Sequence, residues 1–261
     1  YATVTKDRTA IEVKSSVSIK IQVINLSAIP DADLDLQNIA LNLSSDLYNK
    51  LSGKSTAIMN LPFIFKSKDN HVTGVETVKS SNDNKDMSVT FNTYVSTNIS
   101  VVNDISKIDK DAWVFAIVDN VNDMKNMDVA GQADVVGGKV AIGEAKYFEK
   151  SKVYKEGRQL ALHEILHLFG ADDTYPPHTG SPGTQNENNV MYFLTPNNKM
   201  QLTPDQIVKE IWTSTIGVIG EIFKPKPYEQ PKNPNSSTST QQQLKDFIEK
   251  NGSAAKISNT P

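Results

Sequence analysis

Residues 163–173 read His-Glu-Ile-Leu-His-Leu-Phe-Gly-Ala-Asp-Asp, and this run constrains the chain more than any other. Helical winding puts positions four apart on one face, about 6 Å apart along the axis. His163 and His167 therefore converge. Leu162, Ile165, Leu166 and Phe169 fall at the i, i+3, i+4, i+7 spacing of an apolar stripe. Such a helix buries one face against a sheet and leaves its histidines toward a cleft. Gly170 can take φ > 0 and turn the chain sharply out of the helix, which returns the following residues toward the histidines.

Two imidazoles one turn apart can share a metal ion, and a carboxylate is an acceptable third zinc ligand. Asp173, three positions beyond Gly170, is the expected third ligand. Three protein ligands leave a position open for water, the arrangement of a catalytic rather than a structural zinc. Glu164 follows His163 by about 100° of rotation. It stands beside the ion, where it can take a proton from a water that the metal activates. Other readings stay open. Asp172 can replace Asp173 as ligand, or orient a histidine. His178, after Pro176-Pro177, and His71, in a polar turn, read as loop and surface histidines. Tyr175 can donate to a developing oxyanion or simply pack. The bland alternative for the motif is a surface helix carrying a solvated His-Glu pair.

The rest of the composition narrows the class. The 261 residues suffice for one good-sized domain, are 38% hydrophobic and 22% charged, and carry a formal charge of −3. That balance argues against a nucleic-acid binder, which needs a basic face. The chain has no cysteine, so disulfides, thiolate metal sites and cysteine nucleophiles are excluded. No stretch approaches the ~18 apolar residues of a membrane span. Residue 1 is Tyr with no basic-then-apolar leader after it. The expectation is a secreted or otherwise extracytoplasmic bacterial protein, trimmed of a leader or cut from a longer chain, and monomeric.

Along the chain, Val13–Val23 alternates and reads as a strand, and Asp31–Leu51 has helical spacing with Gly53 as a stop. Phe63–Lys66 and Met87–Val95 read as strands around a turn-rich segment, Asn70–Asp86. Ala112–Val118 is continuously apolar, as in a strand buried on both faces. Val135–Gly143 reads as an edge strand, Glu156–Phe169 as a helix and Asp172–Asn189 as a loop. Thr203-Pro204-Asp205 opens a helix reaching Phe223, with Thr203 as N-cap and Pro204 in the first position. Residues 1–223 form the expected α/β domain. Residues 224–261, rich in Pro, Ser, Thr and Gln, read as a flexible tail in which Leu244–Lys250 can form one short helix. Asp119, Asn120, Asn122, Asp123 and Asp128 are compatible with Ca²⁺, although a solvated loop is the simpler reading.

The segment resembles the metzincin clan of zinc peptidases, whose pattern is HExxHxxGxxH, with Asp in the last place in a minority such as the snapalysins. Here it is HEILHLFGADD. The clan also carries a methionine-containing turn downstream, and Asn189-Val190-Met191-Tyr192 occupies a suitable place. The resemblance implies a twisted mixed sheet with an antiparallel edge strand, an active-site helix, the Met-turn and a C-terminal helix. It implies one Zn²⁺ on His163, His167 and Asp173, with Glu164 as general base and Met191 supporting the site from beneath. It also implies an extended peptide or protein substrate added as a strand along the edge, which falls on Gly138, Lys139, Val140 and Ala141. Tyr192 follows Met191 directly, so the role of the clan's Met-x-Tyr tyrosine is not transferred. A second peptidase clan, the gluzincins, is the alternative: Glu187, twenty positions after His167, would be its third ligand. That reading leaves Gly170 and Asp173 unexplained. The expected activity is that of a zinc-dependent endopeptidase. The rivals are an inactive metal-binding module and a toxin or effector domain of a larger secreted protein.

Overall fold

The computed structural model describes residues 2–4, 10–61, 63–67, 75–79, 85–121, 130–134, 138–150, 155–175, 186–192, 194–195, 198–215 and 240–251. The strands are β1 (Ala2–Val4), β2 (Ala10–Asn25), β3 (Gly53–Leu61), β4 (Phe63–Ser67), β5 (Val75–Lys79), β6 (Lys85–Val102), β7 (Trp113–Val118), β8 (Gly131–Ala133) and β9 (Val140–Glu144). The helices are α1 (Leu36–Leu51) and α2 (Lys155–Phe169), then α3, a π-wound stretch Gln206–Trp212 running into Thr213–Thr215, and α4 (Thr240–Asn251).

This is a mixed α/β fold. Its main sheet runs β3-β6-β2-β7-β9-β8, with β1 antiparallel on the start of β2, while β4 and β5 form a separate hairpin. The four inner strands are mutually parallel, and β3 and β8 close the two ends antiparallel to their neighbours. Strand β7 shows why the centre reads as a continuous apolar run. Phe115 and Ile117 enter the core under α1 and α2, whereas Val114, Ala116 and Val118 enter a second core on the opposite face.

Helix α1 buries Leu36, Ile39, Ala40, Leu43 and Leu47 on the first face. The helix expected from Asp31 begins only at Leu36. Asp31–Asp33 is a 3₁₀ turn, and Leu34 is buried in extended conformation, bridged to Glu149. Arg158 of α2 donates through Nε and Nη2 to the buried Asp46 carboxylate at 2.7 and 2.5 Å and ties the two helices together.

Three expectations are corrected. The segment around 138–143 is not the edge: β9 lies between β7 and β8, with Val140 opposite Val114 and Ala141 opposite Ala133, and Lys139 O accepts the Val114 N–H at 2.7 Å. Strand addition at Val140 and Ala141 is therefore blocked, and Lys139 has its carbonyl engaged. Gly138 precedes the strand, packed against the Asp134 side chain. The edge is β8. Second, the turn-rich segment 70–86 contains strand β5. Third, the short helix read at Leu244–Lys250 is present as α4, Thr240–Asn251, but it is folded onto the sheet instead of lying in a flexible tail, with Leu244 and Ile248 fully buried in the second core. Residues 216–239 and 252–261 lie outside the described residues, as do His71, His178, Asn122, Asp123 and Asp128. No helix among the described residues is long and apolar enough to cross a membrane.

Candidate metal centre

Helix α2 carries the site. Leu162, Ile165, Leu166 and Phe169 are all fully buried against the sheet, and this fixes the rotation of the helix about its axis. The helix ends in a Schellman motif: the Gly170 N–H donates to His167 O at 2.9 Å and the Ala171 N–H to Leu166 O at 3.1 Å. Gly170 has φ +101°, the left-handed geometry that glycine adopts without strain. The chain then folds back, and the Thr174 N–H donates to Met191 O at 3.0 Å, joining the loop to the downstream turn.

The structure brings His163, His167 and Asp173 together, with one ligand atom from each lying within 4.8 Å of the others. The two Nε2 atoms are 3.2 Å apart, and Asp173 Oδ1 stands 3.0 Å from that of His163 and 3.4 Å from that of His167. Each ring's other nitrogen faces a main-chain carbonyl: His163 Nδ1 is 2.9 Å from Val190 O, and His167 Nδ1 is 2.7 Å from Ala171 O. A carbonyl only accepts, so both Nδ1 atoms must carry hydrogen, and in the neutral tautomer both Nε2 atoms present lone pairs. Two lone pairs and a buried carboxylate oxygen, itself without a hydrogen bond, repel unless a positive charge sits among them. A divalent cation with nitrogen and oxygen preferences fits this donor set.

The electrostatics agree. Burial would lower the His167 ring, but the contact with Asp173, the charge of Glu164 and the Ala171 carbonyl outweigh it and raise the ring to about 9. Burial would raise the Asp173 carboxyl, yet the two imidazoles hold it well below the usual carboxylate range. Without a metal, the cluster retains a proton as its positive charge.

Glu164 is buried beside the histidines, and burial pushes its carboxyl up against the opposing pull of His163 and His167. Its neighbour is the edge strand: a Cβ built on Gly131 would stand 2.5 Å from Glu164 Oε1. Gly131 is not legible as a site residue in the sequence, because a glycine in a three-residue strand carries no periodic signal. Met191 is fully buried in a turn where the Tyr192 N–H donates to Asn189 O at 3.1 Å and the Met191 N–H to Asn189 Oδ1 at 2.9 Å. Burial, then the charge of Asp173 and a hydrogen bond with it, push the Tyr175 hydroxyl above its ordinary range.

Asp172 is exposed, and its N–H donates to Glu210 Oε2 at 3.2 Å. Glu187 is exposed in the turn, contributes its main-chain carbonyl to Asn198 Nδ2 at 2.7 Å, and stands outside the ligand group, which removes it as the third ligand. The Thr203 cap is present as a reciprocal box, with Gln206 N–H donating to Thr203 Oγ1 at 3.2 Å and Thr203 N–H to Gln206 Oε1 at 3.0 Å.

No protein-family model matches the chain, and no curated protein matches it. Among solved structures it is similar to the archaemetzincin of Methanopyrus kandleri, at 11% identity and a TM-score of 0.35, over 79% of this chain and 93% of that one. It is also similar to the archaemetzincin of Archaeoglobus fulgidus, solved with malonate, at 16% identity and a TM-score of 0.32, over 67% of this chain and 86% of that one.

Proposed function

We propose that this protein is a zinc-dependent endopeptidase of metzincin type. The observation that carries the reading is the convergence of His163 Nε2, His167 Nε2 and Asp173 Oδ1 on one point, with the Glu164 carboxylate buried alongside. When bound there, Zn²⁺ would supply Lewis acidity toward a carbonyl oxygen and lower the pKa of a water. Asp173 contributes negative charge, which makes the centre a weaker Lewis acid than one of three histidines. Glu164 is the general base: its raised affinity for protons suits it to accept one from the attacking water and return it to the leaving amine.

Substrate presentation follows from the sheet. Strand β8 pairs β9 on one side only among the described residues, and Gly131 lies on it next to Glu164. An extended peptide added to that free edge would run past the base with its main chain hydrogen-bonded and its alternate side chains free to be selected. The turn at Asn189–Tyr192 takes the place of the clan's Met-turn, with Met191 packed and not coordinating.

The test uses the full chain. One equivalent of zinc by metal analysis, with casein or gelatin hydrolysis abolished by chelator and restored by Zn²⁺, is the expected result. Glu164→Ala should retain zinc and lose activity by about 10²–10⁴-fold. Activity surviving in that variant refutes the assignment. A zinc-loaded wild type that cleaves no protein substrate points instead to a metal-binding module without turnover.

A further inference from the structure

Gln159 precedes His163 by one helical turn on α2 and is fully buried. Its amide nitrogen spans two carbonyls of the downstream turn, Val190 O and Tyr192 O, at 3.4 Å each, and its Oε1 accepts the Thr195 N–H at 3.1 Å. The Val190 carbonyl is the same one that accepts from His163 Nδ1 at 2.9 Å. The other side of that residue is held as well, because the Val190 N–H donates to Gln201 O at 2.9 Å. Behind it, the buried Asn189 side chain accepts the Met191 N–H and donates to Gln206 Oε1 at 2.7 Å.

The direction of the Val190 carbonyl therefore decides which way the His163 ring faces and which nitrogen keeps its hydrogen. A carbonyl free to swing would let the ring turn its Nε2 lone pair away from Asp173 and His167. A buried amide is suited to prevent this: it has two N–H donors for two carbonyls and one acceptor for an N–H, and no charge to compete with the ion.

We propose that Gln159 is a positioning residue for the metal centre, bridging Val190, Tyr192 and Thr195 so that the His163 ring is held in ligating orientation. This rests on reading His163, His167 and Asp173 as a metal site. Outer partners of this kind typically govern 10–100-fold in metal affinity.

The experiment compares zinc affinity, by competition with a chromophoric chelator, for zinc-stripped wild type, Gln159→Met and Arg158→Ala, with Co²⁺ absorption as a second reading of coordination. Methionine keeps much of the volume of glutamine and removes the hydrogen bonds to Val190, Tyr192 and Thr195. Gln159→Met should bind Zn²⁺ about 10–100-fold more weakly and give altered Co²⁺ bands. Arg158→Ala, which breaks the ion pair to Asp46 on the neighbouring face, should lower the melting temperature and leave zinc affinity unchanged. Equal zinc affinity in wild type and Gln159→Met overturns the proposal, as does an equal loss in Arg158→Ala. A wild type that takes up no zinc overturns the functional reading and this proposal together. Hydrogen exchange on the unaltered chain tests it even where Gln159→Met does not fold: the Gln159 side-chain amide and the Thr195 N–H should exchange slowly, and rapid exchange of both overturns it.

Discussion

Gly131 of the edge strand faces the Glu164 carboxylate at a distance that leaves no room for a methyl group: a Cβ at 131 would lie 2.5 Å from Oε1 and 2.8 Å from both Cδ and Cγ. Strand β8 pairs with β9 through Gly131, Gln132 and Ala133, so the strand cannot retreat without losing its ladder. In Gly131→Ala the carboxylate is the group that moves. Misplacing a catalytic group by about 1 Å costs on the order of 100-fold in rate. The expected outcome is a kcat lowered by about 10–100-fold with one zinc still bound. An unchanged kcat, or loss of zinc in parallel with activity, would contradict the role proposed for Glu164 as a base beside the metal rather than a ligand on it.

The metal-free protein should respond to pH through His167. Its ring is raised from 6.5 to about 9 in the folded state, by Asp173, Glu164 and the Ala171 carbonyl acting against burial. A raised folded pKa means that the folded state holds the proton more tightly than the unfolded chain. The associated stability is fully present below about pH 6.5 and is lost as pH rises through about 9. Zinc competes for the same lone pair, so its binding expels the proton in this window and its apparent affinity climbs with pH. Melting temperatures of chelator-treated protein should fall between pH 6.5 and 9 relative to His167→Gln, and calorimetry in buffers of different ionisation enthalpy should report proton release on zinc addition. An apo melting temperature that rises over the same range relative to His167→Gln would show that the cluster is not held together by a shared proton.

The elements that were legible in sequence are those whose evidence is local. His163, His167, Gly170 and Asp173 fall within one helix and one bend, and spacing alone places them near a common point. The β7 run announces burial on both faces because its residues alternate between two apolar cores. What is not legible there depends on partners distant in the chain. The segment Val135–Gly143 reads as the edge because its glycines resemble a frayed strand, whereas the true edge is Gly131–Ala133, too short for a period to register. Gln159 looks like a solvated helix residue until Val190 and Thr195 are folded over it. The start of α1 is set by burial of Leu34, which no helix propensity describes. Helix α4 is mostly polar, and its value lies in two residues, Leu244 and Ile248, that meet the uncovered face of the sheet.

That last contact carries a stability prediction. Val114, Ala116, Val118, Val140 and Ile142 all project into the second core, opposite α1 and α2, and share it with Leu244 and Ile248. Two backbone acceptors also anchor the helix: Gln241 Nε2 donates to Ser106 O at 3.1 Å and to Ile108 O at 3.2 Å. Ile248→Ala removes a fully buried side chain from a packed layer and should cost about 2–4 kcal/mol, whereas Glu249→Ala, exposed on the same helix, should be near neutral. Chemical denaturation of the two variants checks the difference. Below the unfolding transition, Ile248→Ala should bind zinc as wild type does, because α4 and the proposed ligands His163, His167 and Asp173 belong to opposite faces of the sheet. If Ile248→Ala is as stable as wild type, α4 does not cover the sheet in solution, and the burial of β7 on its second face needs another partner.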